Sequence, residues 1–358
     1  MKKRKVYLTL QNGDCFQGYR FGAEGEAVGE LVFTTGMVGY VETLTDPSNF
    51  GQIVVQTFPL IGNYGVNPAD AESDKTWVSA YVVRELCDEP SNFRMEKTLD
   101  EYLKEKGVIG VYGVDTRQLT KILREKGVMN ATISDKPVEG KEVFAVYSVK
   151  DAVKTVAPTQ KYERGSKDAK YMVAFWDFGG KKSTVDNLVA QGCRVIGMPA
   201  HSTAEEILSL GVDGVVLSNG AGNPEENVEI IEEVKKVLGK KPLLGIGLGH
   251  QLVALSLGSK TKKMKYGHRG GNQPVKCVQS GKVYISTQNH GYVVDKDALA
   301  AGELRYINVN DGTCEGIDYD SLNAFTVQFA PESCGVGHTE NPVYDKFFAM
   351  MEKEKENA

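Results

Sequence analysis

The chain has 358 residues, 41% of them hydrophobic and 25% charged, enough for about two packed domains at roughly 150 residues each. Its formal net charge is −5, and acidic and basic residues are interspersed without a block of either sign, so nucleic acid is not an expected partner. The apolar stretch after the basic start MKKRK breaks at Gln11, too short for a secretory signal, and the most apolar window, 243–258, is interrupted by His250 and Gln251; a cytoplasmic location without a membrane span is expected.

In residues 1–150, short strand-like runs such as KVYLTL and ELVFTT precede turn-rich segments and two helical stretches, TLDEYLKEKG and DTRQLTKILREKG. The second helix carries Leu119, Ile122 and Leu123 on one face, with Asp115 or Thr116 as its cap and Gly127 as its stop. An α+β domain is the reading for this part. Residues 151–170 are charged, contain Pro158 and Gly165 and show little apolar periodicity, so they read as a linker.

From 171 to 358 the rhythm changes. MVAFW, KSTVDNLVAQG, CRVIGM, STAEEILSLG, VDGVVLS, NPEENVEIIEEVKKVLG and PLLGI alternate strand and helix, and a further helix follows Gly249. This alternation predicts a doubly wound α/β domain on a mostly parallel sheet. Helix starts are marked at Ser202, with Glu205 three residues on, and at Asn223, with Pro224 and Glu226 following.

Ligands of open parallel sheets bind at the carboxyl ends of the strands, where two glycine-bearing loops fall, LSNGAGNP and GIGLGHQ. In the first, Gly220 and Gly222 precede a helix and could aim backbone N–H groups at a developing negative charge, or form an ordinary turn. The second is not a dinucleotide fingerprint, since His250 takes the place of the third glycine and no acidic residue follows about 20 positions on. It has instead the form of a nucleophile elbow, yet its centre, Gly247, has no side chain. The six cysteines (15, 87, 193, 277, 314, 334) contain no C-x-x-C pair and read as reduced and mostly buried. The five histidines (201, 250, 268, 290, 338) are too scattered along the chain to read as ligands, and no metal is expected.

GIGLGHQ, LSNGAGNP, STQNHGYVV and QFAPE resemble the four motifs of class I, triad-type glutamine amidotransferases. TTGMVGYVETLTDPSNFGQIV, FPLIGNYGVN, GVDTRQLTKILREKGVMNA and KYGHRGGNQPV resemble more narrowly the small subunits of carbamoyl phosphate synthetases, a likeness running from about residue 30 to 345. The resemblance implies glutamine hydrolysis in this subunit and passage of ammonia through a tunnel to a large subunit. That partner makes carbamoyl phosphate from bicarbonate and ATP, so ATP and magnesium belong to it and no cofactor is expected in this chain.

The family uses a Cys at the elbow, a His, and a Glu two residues beyond it: the imidazole takes the thiol proton, the carboxylate orients the ring, and backbone N–H groups hold the oxyanion. By resemblance Gly247 stands at the nucleophile position, Ala330 at the His position, and Glu332 is the retained acid. His250 and Cys334 lie on the wrong side of the turn to replace them. Losing the nucleophile of a triad costs on the order of a millionfold in rate, so glutaminase activity is expected to be negligible. The resemblance assigns the oxyanion site to Gly220, Gly222 and Leu248, and glutamine binding to Ser48, Gln251, Asn289, Gly291 and Tyr292. Ala221 and Asn223 depart from the family's usual Pro and Asp. Two functions follow: the small subunit of an ammonia-dependent synthetase, in complex with its large subunit, or a stand-alone pseudo-amidotransferase that binds glutamine or another partner.

Overall fold

The structure is a computed structural model that describes residues 4–139, 144, 147–333 and 341–356. They fall into two compact units, 1–150 and 151–358. No helix among the described residues is long and apolar enough to cross a membrane.

In the first unit, seven strands close a barrel among the described residues, in the order Lys5–Leu10, Cys15–Gly22, Ile109–Tyr112, Ala80–Val82, Gln52–Gln56, Ala27–Thr34, Met129–Ser134. The last strand returns to the first in antiparallel register, Tyr7 opposite Ser134 and Leu10 opposite Ala131. Closure leaves no exposed edge and encloses Val6, Leu8, Leu10 and Ile133. Helix Leu99–Glu105 opens on a capping box between Thr98 and Glu101. Asp115 caps helix Thr116–Lys126, and Gly127 ends it.

The second unit is built on a ten-stranded sheet among the described residues. Its parallel half runs Cys193–Pro199, Tyr171–Phe178, Gly214–Gly220, Leu243–Ile246, Ala324–Val327. The strand Tyr171–Phe178 shows why these segments read as continuous apolar runs: successive side chains point to opposite faces, and both faces are covered. Ala174 and Trp176 pack with Ile207, Val234, Val237 and Leu252 of helices Ala204–Leu208, Val228–Val237 and Leu248–Ser256. Val173 and Phe175 pack with Val185, Leu188, Phe347 and Met351 of helices Lys182–Ala190 and Pro342–Glu356. An antiparallel extension, Cys314–Tyr319, Glu303–Asn308, Thr261–Cys277 and Val283–Val294, continues the sheet and was not foreseen from the periodicity.

Four expectations need correction. Residues 151–170 are part of the second unit: Ala152, Val153 and Val156 bury one face of the helix Ala152–Val156, and Tyr162–Arg164 pairs antiparallel with Cys193–Pro199 as an edge strand. A Cβ at Gly197 would lie 2.2 Å from the Tyr162 ring, so the missing side chain makes room for that strand. The cap of helix Ala204–Leu208 is Thr203, which forms a capping box with Glu206, and Ser202 is buried just before it. The elbow helix begins at Leu248, not after Gly249. At Asn223 the cap serves a short 3-10 turn, Pro224–Glu226, before the helix proper. Cys193, Cys277 and Cys314 are buried and Cys15 is exposed; Cys334 and His338 lie outside the described residues.

Candidate functional site

At the end of strand Leu243–Ile246 the chain turns through Gly247 at φ 56°, ψ −108° and enters helix Leu248–Ser256. A residue with a Cβ is strained at such angles, and glycine is not. The Gly247 N–H donates to Val327 O at 2.9 Å, which holds the turn against the neighbouring parallel strand. A Cβ here would stand 3.1 Å from Asn219 Cβ and 3.9 Å from Gln328 O. Two residues on, a Cβ at Gly249 would come within 2.5 Å of Leu217 O, so that glycine lets the helix pack directly on the sheet.

The first glycine loop meets this elbow. A Cβ at Gly220 would lie 2.7 Å from Leu248 Cδ2, which places the end of strand Gly214–Gly220 beside the first residue of the elbow helix. Gly222, at φ 86°, faces Ala152, whose Cβ would be 2.6 Å from an added one. That contact gives Gly222 a packing reason independent of any oxyanion. Ala221 is buried, and Asn223 accepts from the Glu225 N–H as a cap, a task Asp would perform equally well.

The QFAPE segment follows strand Ala324–Val327. Ala330 donates its N–H to Thr287 O at 2.9 Å, and the Ser333 hydroxyl accepts from Thr287 N and donates to Ala330 O. Glu332 lies in the 3-10 turn Pro331–Ser333 and accepts a 3.2 Å hydrogen bond from the Tyr344 hydroxyl. Burial, reinforced by Glu332, pushes the Tyr344 hydroxyl well above its ordinary range, so it stays a donor.

Gln251 links three elements: its Nε2 donates to Tyr292 O at 2.9 Å and to Gln328 Oε1 at 2.8 Å. Asn289 stands opposite Arg269 in the paired strands Thr261–Cys277 and Val283–Val294, and Gly291 lies beside the Arg269 guanidinium. The structure thus gathers Gly247, Leu248, Gly220, Ala330, Gln251 and the strand carrying Asn289, Gly291 and Tyr292. Ser48 belongs to the first unit, where it sits in the turn Pro47–Asn49 with its N–H on Asp46 Oδ1 at 2.9 Å. His250 points into the core, with Nδ1 2.7 Å from Thr326 Oγ1, and burial lowers its pKa to about 3. A neutral ring held there does not serve an elbow nucleophile.

One cluster escaped the sequence reading. Histidines that read as scattered are brought together by strand pairing: the ligand-type atoms of His268, His290 and Glu315, all buried, lie within 4.8 Å of one another, a set of donors that could also hold a metal ion. His268 Nε2 is 2.9 Å from Asp311 Oδ2, and Nδ1 is 3.3 Å from Glu315 Oε1. Burial opposes the charge on His268, but hydrogen bonds to Asp311 and Glu315 overcome it and raise the pKa to about 9. Burial pushes Glu315 up, against the pull of His268, to about 7. Burial and the neighbouring His268 push His290 down.

Residues 8–133 match the family described as carbamoyl-phosphate synthase small chain, CPSase domain, and residues 174–350 match glutamine amidotransferase class-I. The chain is 46% identical over 346 residues to the carbamoyl phosphate synthase small chain of Clostridium perfringens, covering 96% of this chain and 98% of that one. It is 47% identical over 354 residues to the small chain of Fusobacterium nucleatum, covering 96% and 98%. With the carbamoyl phosphate synthase pyrimidine-specific small chain of Bacillus subtilis it shares 45% identity over 356 residues, 98% of this chain and 96% of that one. The chain belongs to the carbamoyl phosphate synthase small chain family and carries a class I glutamine amidotransferase domain.

Proposed function

We propose that this chain is the small subunit of a carbamoyl phosphate synthetase that takes free ammonia, with a glutamine pocket that still binds but no longer hydrolyses. The observation that carries this reading is the pairing of an empty elbow with a retained frame. Gly247 and Ala330 offer neither thiol nor imidazole, while Gln251, Tyr292, Gln328 and the Tyr344–Glu332 pair remain hydrogen-bonded around them. Amide hydrolysis at such a site proceeds through attack of a thiolate on the carboxamide carbon and expulsion of ammonia. Without the sulfur no acyl-enzyme forms, and without the imidazole no group activates water or protonates the leaving nitrogen. The pocket can still hold the amino acid, through backbone groups at Gly220, Gly222 and Leu248 and the polar atoms of Gln251, Asn289 and Tyr292. The partner is a synthetase large subunit, which contributes ATP and magnesium chemistry, and this chain holds or regulates it.

The test is to purify the full chain with its large subunit and measure carbamoyl phosphate formation with glutamine or with ammonium as nitrogen source. Synthesis with ammonium alone, and no ammonia release from glutamine above background, is the expected result. Glutamine-dependent synthesis would overturn the loss of hydrolysis. Failure to recover any large subunit would favour a stand-alone pseudo-amidotransferase.

A further inference from the structure

Glutamine has two chemically different ends, and the second unit offers a different wall to each. The carboxamide belongs at the elbow, where Gly247, Leu248 and Gly220 meet. The charged amino acid end then faces the other pocket residues, Asn289, Gly291 and Tyr292 of strand Val283–Val294. None of these three carries a charge. The cations stand on the strand paired with them: Arg269 lies directly opposite Asn289, and Lys263 lies opposite Tyr292 with its ammonium 6.0 Å from the centre of the Tyr292 ring. Directly opposite residues of an antiparallel pair project to the same face, so Arg269 shares the face of Asn289. The next pair along, His268 and His290, projects to the other face, where Glu315 joins it.

Arg269 is buried, and two glycines shape its slot. A Cβ at Gly291 would lie 3.2 Å from Nη2, and a Cβ at Gly267, which turns at φ 72°, would lie 2.5 Å from Nη1 and 2.3 Å from His290 O. Any side chain at Gly267 would therefore push the guanidinium off the 290–291 backbone. Nη1 also donates to Tyr266 O at 2.8 Å, which fixes the orientation of the group beside Gly291. A guanidinium is a rigid fork of N–H donors that keeps its charge across the whole pH range of a protein, and its hydrogen bonds to carboxylates are among the strong ones. We propose that Arg269 is a specificity-determining residue of the pocket: its cation, held beside Gly291, selects ligands that carry a free α-carboxylate. The inference rests on the reading of this site as a glutamine pocket, and it adds which end of the amino acid the strand wall reads.

The experiment uses the full-length chain in calorimetry with two probes, glutamine and glutamine α-amide. The second keeps the side-chain carboxamide and the amino group and has a neutral amide in place of the carboxylate. The parent should bind glutamine at least about tenfold more tightly than the α-amide, since a hydrogen bond to a charged group is worth at least that much. Arg269→Gln should weaken glutamine by about tenfold or more and leave the α-amide within about threefold, so that the preference collapses. Arg269→Lys, which keeps a cation on the strand, should retain the preference. A role confined to packing would weaken both probes together; that result, or an unchanged preference in Arg269→Gln, would overturn the proposal. Should Arg269→Gln fail to fold, the parent and Arg269→Lys decide, and equal affinity for the two probes in either chain would overturn it. A parent that binds both probes equally sinks this inference alone, whereas a parent that binds neither sinks the pocket reading and the inference with it.

Discussion

The N–H of Gly247 donates to the carbonyl of Val327 at 2.9 Å, and this bond ties the empty elbow to the strand that leads into Ala330 and Glu332. Any side chain installed at 247 must keep that bond while adopting φ 56° and displacing Asn219, whose Cβ would be 3.1 Å away. Gly247→Cys should therefore lower stability by about 1–3 kcal/mol, the usual cost of a strained backbone residue. Chemical denaturation of the variant against the parent checks this, and an unchanged midpoint would mean that the turn relaxes freely.

Installing the missing groups together tests the site itself. Gly247→Cys alone has no base, and Ala330→His alone has nothing to deprotonate, so each should remain near background in a glutaminase assay. The double variant should exceed the sum of the singles by a wide margin, because triad members act as a unit. Recovery should be incomplete for two reasons visible in the structure. Tyr344 already donates to Glu332 and would compete with the new imidazole for that carboxylate. Ala221, where the family resemblance would place Pro, shapes the loop whose N–H groups would hold the oxyanion, and one lost donor costs about a hundredfold to a thousandfold. Equal activity in the double and single variants would show that the pocket has diverged beyond the two absent side chains.

Thr203→Ala should cost about 1 kcal/mol, whereas Glu205→Ala should cost much less, as read by thermal unfolding. The reason is that Thr203 and Glu206 exchange both bonds of the capping box, while Glu205 is exposed. From sequence alone Ser202 with Glu205 and Thr203 with Glu206 fit the pattern equally, and only the burial of Ser202 separates them. Other features divide the same way. The strands after 171 were legible because burial on both faces makes them continuous apolar runs, as in Val173–Trp176. The barrel was not, because strands of three or four residues such as Ala80–Val82 and Ile109–Tyr112 carry too little pattern of their own and exist through their neighbours. The edge strand Tyr162–Arg164 hid inside a charged stretch, since two of its three side chains are exposed. The elbow and the Ala330 segment were legible as motifs. The His268–Glu315 contact was not, because 47 residues separate its members and a sheet register brings them together.

The histidines also predict how stability depends on pH, with opposite signs at the two ends. His250 is buried against Thr326, and its pKa is lowered from 6.5 to about 3 by burial. Its contribution is present above the unfolded value and is lost as pH falls toward 3, because the unfolded chain takes up a proton that the folded chain refuses. The slope on the acid side is at most about 1.4 kcal/mol per pH unit for one proton. His268 behaves in reverse. Its folded pKa is raised to about 9, against burial, by Asp311 and Glu315, so its contribution is present below 6.5 and fades as pH rises through 9. Glu315, raised to about 7 chiefly by burial, loses its contribution in the same direction between 4.5 and 7. Between 4.5 and 6.5 the gain from His250 and the loss from Glu315 offset each other, and above 6.5 both Glu315 and His268 lose, so these groups make the parent most stable between about pH 4.5 and 6.5. Asp311→Asn removes one of the two groups that hold the His268 proton, so it should lower the stability on the acid side of 6.5 and flatten the decline toward pH 9. Denaturation midpoints of parent and variant from pH 4 to 10 provide the measurement, and an alkaline limb equally steep in both would show that the Asp311 contact does not hold the His268 proton.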